Sequence, residues 1–204
     1  MKLLAATRSA GKQRELRRLL EAAGHEVVFP DEAGLYERPE EDGLELEASF
    51  EANARHKAEY FARLSGLATF ADDSGLEVFS LGGAPGVRSK RFAGVTGPAH
   101  VVDAANNAEL LRRLLGAPEA RRTARYRCAL VLVRRVGAVP EVFEGSCAGR
   151  ILEAPRGEGG FGYDPYFLST ELGCTFGEAA AAAKDAVSHR GRALRALMDA
   201  LASP

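Results

Sequence analysis

Lysine is scarce in this sequence. It supplies only five of the 27 basic residues, an arginine bias that reads as genome composition rather than mechanism. Surplus positive charge is missing as well. The formal net charge of −1 argues against broad nucleic-acid binding, which needs a basic face to neutralise phosphates. A local basic pocket for one small anion remains compatible with that charge. No apolar run approaches the roughly 20 residues of a membrane span, so neither a membrane nor nucleic acid is an expected partner. The apolar opening from Lys2 to Ala6 lacks a cleavage-site pattern, so no signal peptide is expected. The three cysteines, Cys128, Cys147 and Cys174, are too scattered for a disulfide framework or a zinc site. Cys128 lies in the apolar run CALVLV and reads as core packing, as free cysteine commonly does. A reducing, cytoplasmic location is the default for such usage.

What is present suits a globular protein. Hydrophobic residues make up 46% of the 204 positions, enough to bury a core, and a single domain over residues 1–204 is expected. The opening KLLAA, the loop TRSAG, a helix through Leu16, Leu19, Leu20 and Ala23 with Gly24 as its stop, and HEVVF form a strand–loop–helix–strand series. That series predicts an α/β sheet. Residues 30–43 are polar and rich in turn formers, a long loop of functional character. The next helix is expected to carry Leu46, Phe50, Ala54, Phe61 and Leu64 on one side and to end at Gly66. LATFA follows as a strand that ends in Asp72, Asp73, Ser74 and Gly75. After the glycine-rich LGGAPG, a helix spans roughly 101–115. Three strand-like runs follow (RYRCALVLV, EVFEG and GRILEA), and then YFL. The last helix has Leu194, Leu197, Met198 and Leu201 at i, i+3, i+4 and i+7, with Ser188 as its N-cap.

Four segments carry chemistry. In TRSAGK, Thr7 to Lys12, a strand runs through a small-residue loop into a helix. Free backbone N–H groups and a helix N-terminus suit a phosphate, and Lys12 adds charge. The alternative is a plain βα turn with a solvated lysine. Two adjacent carboxylates after an apolar strand, Asp72 and Asp73, need partners if buried. One can hold Mg²⁺ or orient a water while the other anchors the loop. Glu40 and Glu41 in the acidic loop offer a further carboxylate, and a capped turn is the plainer reading. GGFGYDP, residues 159–165, combines glycines that permit close backbone approach with aromatic faces for a base. Such stacking is worth roughly 1–3 kcal/mol. A hairpin loop with Phe161 and Tyr163 tucked into the core is the other possibility. Lys184, Ser188, His189 and Arg190 gather donors suited to the O6 and N7 acceptors of a keto purine.

Taken together and in this order, TRSAGK, SFEANARHKA, ADDSGL, LGGAPGV, GGFGYDP and K-x4-HRG resemble one family along nearly the whole chain, the inosine triphosphate (XTP/dITP) pyrophosphatases. The resemblance implies an elongated two-lobed α/β mixed-sheet fold with a central cleft, and a homodimer. It implies hydrolysis of ITP, dITP and XTP between the α- and β-phosphates, with Mg²⁺ as cofactor. By the same resemblance, Thr7, Arg8, Ser9, Ala10, Gly11 and Lys12 hold the phosphates, with Ser74 touching the substrate. Asp73 is the proton acceptor and a metal ligand, and Glu40 is the other ligand, with Glu41 and Glu45 as alternatives. Phe161, Gly162, Tyr163, Asp164, Lys184, His189 and Arg190 form the base and nucleotide pocket. The sequence departs from the family at Ser9, where asparagine is usual, and at Arg88 and Lys90, where tyrosine and alanine are usual. A preference for pyrimidine or other modified nucleotides, or a binding module that does not hydrolyse, are the competing readings.

Overall fold

The structure is a computed structural model that describes residues 1–202. Six strands form one sheet in the order β2–β1–β3–β4–β5–β6. They are β1 (Lys2–Ala5), β2 (Glu26–Val28), β3 (Thr69–Val78), β4 (Thr123–Val133), β5 (Glu141–Ile151) and β6 (Phe167–Ser169). The helices are α1 (Ala10–Ala22), α2 (Phe50–Ser65), α3 (Ala99–Arg113), α4 (Ala181–Val187) and α5 (His189–Ala202). β1 pairs in parallel with both β2 and β3, whereas β5 and β6 are antiparallel. The sheet is therefore mixed, in the α/β class expected. No described helix is long and apolar enough to cross a membrane.

The chain divides into two compact units. Unit 1 comprises Met1–Asp73, Cys128–Gly145 and the segment from Arg190; unit 2 comprises Ser74–Arg127 and Ser146–His189. In unit 1 the two-residue period of the strands sorts side chains onto two cores. Leu3, Ala5, Phe70, Cys128, Leu130 and Leu132 join Leu16 and Leu20 of α1 and Ala193, Leu194 and Leu197 of α5. The alternating residues Leu4, Ala6, Ala71, Val131 and Val133 join Ala54, Ala58, Phe61 and Ala62 of α2. Strands covered on both faces read as nearly continuous apolar runs, which is why KLLAA and CALVLV contain almost nothing polar. α2 starts where the Ser49 hydroxyl accepts from Ala52 N at 3.2 Å, and it stops at Gly66, φ 69°. Only glycine takes that left-handed cap without a Cβ penalty.

Unit 2 has its own core, in which Leu76, Val78, Leu110, Leu114, Tyr126, Ile151, Tyr163, Phe167 and Phe176 pack together. β5 meets β6 through Gly149↔Ser169 and Ile151↔Phe167. A Cβ on Gly149 would lie 2.4 Å from the Leu168 carbonyl oxygen, so the strand approaches its neighbour more closely than any other residue allows.

Three expectations need correction. Leu46 lies outside α2 and is 72% exposed, because the helix starts at its serine cap. EVFEG and GRILEA are halves of one strand, β5; Gly145 and Gly149, which look like breakers, sit inside it. The Asp72–Gly75 segment does not end a strand either. β3 continues through it to Val78, since side-chain ion pairs offset the poor strand propensity of aspartate.

Candidate functional site

The continuation of β3 decides where the two aspartates point. Phe70 faces the core shared with α1 and α5, and Ala71 faces α2. By alternation, Asp72 turns to α1 and α5 while Asp73 turns to α2.

On the first side, Asp72 Oδ2 lies 3.1 Å from Lys12 Nζ and accepts from Arg190 Nε at 3.1 Å. Arg190 Nη1 also donates to Glu15 Oε2 in a short contact. Glu15, Asp72 and Arg190 are all buried. Burial alone would raise the Asp72 pKa, but the charges of Lys12, Arg190 and Lys57 outweigh it and hold the carboxyl far below its usual range. Asp72 is therefore ionised and serves as the anchor of the cluster.

On the other side, Asp73 Oδ2 accepts from Asn53 Nδ2 at 2.9 Å, and Asp73 Oδ1 lies 3.6 Å from Lys57 Nζ. Asn53 is itself locked, its Oδ1 accepting from Glu47 N at 2.9 Å. Lys57 Nζ also contacts Glu45 Oε1 at 2.5 Å and donates to Asp72 O at 2.8 Å. Burial raises the Asp73 pKa; Lys57 and Lys12 oppose it without reversing it. Of two adjacent carboxylates, one is thus held ionised and the other made the better proton acceptor. Carboxylates pushed apart in this way occur both in acid–base sites and in structural ion-pair networks.

The Thr7–Lys12 segment lies in the same unit. α1 opens at Ala10, so the amides of Ala10, Gly11 and Lys12 fall in its first turn, where no intrahelical acceptor exists. The Ser9 amide donates to Thr7 Oγ1 at 3.2 Å. Arg8 turns away into the acidic loop. Its Nε and Nη2 grip Glu41 at 2.7 Å each, Nη1 reaches Asp31 Oδ1, and Nη2 also donates to Leu35 O at 2.9 Å. Glu41 is thereby engaged by Arg8 and Glu45 by Lys57, while Glu40 lies exposed on the short 3-10 helix Pro39–Gly43. Ser74 follows Asp73 within β3 and is half-buried.

Unit 2 gathers the remaining candidates. Lys184 Nζ donates to Asp164 Oδ2 at 2.6 Å, and the same oxygen accepts from Phe161 N at 2.8 Å. The Lys184 ammonium lies 5.2 Å from the Phe161 ring centroid and 5.3 Å from that of Phe176, within cation–π range. His189 stacks on Tyr126 at 4.6 Å with the rings 8° from parallel. The Tyr126 hydroxyl is 3.4 Å from Asp164 Oδ1. Tyr163 is a core residue whose hydroxyl donates to Ser89 O at 2.7 Å, so Phe161, half-buried, is the aromatic with a face to offer. Gly162 is held by Asp103 and Asn107 of α3.

Several of these residues carried no assignment from sequence: Glu15, Asn53, Lys57, Asp103, Asn107 and Tyr126. A signal for two of them existed. Asn53 and Lys57 are spaced i, i+4 inside the apolar stripe of Ala54, Ala58, Phe61 and Ala62, and polar residues on a buried face call for a purpose.

In an α/β protein, a partnered acidic pair in the same unit as an open helix N-terminus is an arrangement that suits phosphorylated ligands. Comparison with known proteins specifies the class. The sequence profile of the Ham1 family matches residues 3–200, and the chain belongs to that family. It is 46% identical over 201 residues to the dITP/XTP pyrophosphatase of Desulforamulus reducens, covering 98% of this chain and 96% of that one. It is also 46% identical to the dITP/XTP pyrophosphatase of Thermus thermophilus, covering 98% and 91%. Among solved structures, a HAM1 protein from Coxiella burnetii superposes with a TM-score of 0.84 at 32% identity over the whole of both chains.

Proposed function

We infer that this chain hydrolyses dITP, ITP and XTP to the nucleoside monophosphate and pyrophosphate, removing deaminated purines from the nucleotide pool. The reading rests on full-length similarity to dITP/XTP pyrophosphatases and on one geometric observation. Asp73 is a buried carboxylate of raised pKa, fixed by Asn53 and flanked by Lys57. Such a group accepts a proton from an attacking water more readily than an ordinary aspartate.

In this reading the amides of Ala10, Gly11 and Lys12, with Thr7 and Ser9, receive phosphate oxygens, and Lys12 and Lys57 balance their charge. Arg8 shapes the acidic loop through Glu41 and Asp31. Mg²⁺ is the proposed cofactor; it needs only one or two carboxylates, its remaining ligands being waters and phosphate oxygens. Asp73, with a carboxylate from Glu40, Glu41 or Glu45, meets that requirement. The exposed Glu40 is the one to which neither Arg8 nor Lys57 is attached. When bound, the ion would be held by Asp73 and one of these glutamates and would supply neutralisation of charge on the departing pyrophosphate. Phe161 stacks on the base, while Lys184 and His189 supply donors to the oxygen at C6. Ser74 and Asp164 border the nucleotide, and Arg190 stands behind Asp72. Adenine presents a donor at C6 and is rejected, a kind of discrimination worth about 10⁴–10⁵. The proposal includes a cytoplasmic homodimer acting on free nucleotides; the dimer rests on the family resemblance alone.

Incubation of the purified chain with ITP, with and without Mg²⁺, followed by identification of both products, tests the function. IMP and pyrophosphate appearing only with the metal is the expected outcome. Release of inorganic phosphate, or tight ITP binding with no metal-dependent product, contradicts it. Size-exclusion chromatography with light scattering checks the dimer.

A further inference from the structure

Helix α3 presents polar side chains to two loops of unit 2. Buried Asn106 holds one of them, its Oδ1 accepting from Ala93 N at 2.8 Å and its Nδ2 donating to Lys90 O at 3.1 Å. Asp103 and Asn107 hold the other. They stand four residues apart and so lie one above the other on the helix. Asp103 Oδ2 accepts from Gly162 N at 2.9 Å, and Asn107 Nδ2 donates to Gly162 O at 3.0 Å. One residue's backbone is thus gripped on both its amide and its carbonyl.

The gripped residue has no side chain of its own to anchor it. Gly162 has φ 63° and open space where a Cβ would stand, so nothing intrinsic to glycine keeps it there. Its neighbours are anchored by other means: Phe161 N donates to Asp164 Oδ2, and the Tyr163 hydroxyl donates to Ser89 O.

We propose that Asp103 and Asn107 are positioning residues for nucleotide binding, holding the Gly162 backbone so that Phe161 and Asp164 keep the orientation in which they meet the base. This rests on the reading of residues 161–164 as a nucleotide-binding loop. Without the clamp the loop occupies its competent conformation for a smaller fraction of the time, and apparent affinity falls by that fraction. Neither side chain belongs to the Asp73 cluster, so turnover at saturation is spared.

Steady-state release of pyrophosphate from ITP by the full chain is the test, with Asp103→Ala, Asp103→Asn, Asn107→Ala and the double alanine variant. Each single alanine change is expected to raise KM about tenfold with kcat within about threefold. Asp103→Asn retains an oxygen that accepts from Gly162 N and should remain within about threefold of the native KM. The double variant should exceed the worse single one by no more than about twofold, since both contacts act through one residue. An unchanged KM in both alanine variants overturns the proposal, as does a fall in kcat with KM unmoved. If Asp103→Ala fails to fold, Asn107→Ala and Asp103→Asn decide. If the native chain releases no pyrophosphate from ITP, the functional reading is at fault, and the clamp is judged by amide hydrogen exchange over residues 160–164. Exchange at least about tenfold faster in Asn107→Ala supports the clamp and unchanged exchange refutes it.

Discussion

Replacing Arg190 with methionine tests the buried charge cluster most directly. The guanidinium is 3% exposed and links two carboxylates, Asp72 at 3.1 Å and Glu15 in a shorter contact. Methionine fills similar space but leaves both carboxylates buried without the cation that offsets their lost hydration. Removing one side of a buried ion pair costs about 3–5 kcal/mol. The lower end applies here, because Asp72 keeps Lys12 at 3.1 Å. For a chain of this size each kcal/mol shifts the melting temperature by about 2–4 °C, so a fall of about 6–12 °C is expected. Thermal denaturation at pH 7, followed by circular dichroism, measures it. Adding Glu15→Gln should restore part of the loss, since the carboxylate that loses Arg190 is then neutral. A fall below about 2 °C, or no recovery in the double variant, would refute the argument that Arg190 is the counter-ion of this core.

Three further outcomes follow from the same geometry. Asp73→Asn should lower kcat for ITP by about 10²–10⁴ without lowering the melting temperature. Burial already favours the neutral form of Asp73, so pyrophosphate release and a thermal scan together separate catalysis from stability. Asp72 titrates below its ordinary value of 3.8 in the folded chain. Its stabilising effect is complete above that value and lost as pH falls toward the folded one; acid unfolding should steepen below about pH 4, and Asp72→Asn should remove that component. Gly160→Ala places a Cβ 2.1 Å from Asp164 Oδ2 at φ 74°, which should displace the partner of Lys184 and raise KM for ITP by about tenfold. An unchanged KM there dissociates Asp164 from nucleotide binding.

Where the pattern is local, the sequence is a good guide to this structure. The strands through Leu3–Ala5 and Leu130–Val133, the stop at Gly66 and the closing helix through Leu194 and Leu197 all follow from apolar periodicity and glycine conformation. Distant partners were not legible. Asp72 and Asp73 look like turn formers because aspartate usually is one. In the fold Asp72 meets Arg190, 118 positions away, and Lys12, 60 positions away, while Asp73 meets Asn53, 20 positions away. Gly145 and Gly149 resemble breakers until β6 is seen against Gly149. Arg8 reads as a phosphate ligand beside Lys12, and only the folded acidic loop shows its grip on Glu41. Asp103 and Asn107 lie on a helix with no glycine-rich or acidic signature to mark it.

The core behind β1 draws on residues from Leu3 to Leu197, and this bears on how the chain matures on the ribosome. β1 and α1 are synthesised well before α5, whose Ala193, Leu194 and Leu197 close the side of the sheet they line. Leu16, Leu20 and Phe70 complete this core only with Leu194 and Leu197, so its closure waits on contacts of large sequence separation. Late closure exposes apolar surface during elongation, a condition in which chaperones bind nascent chains.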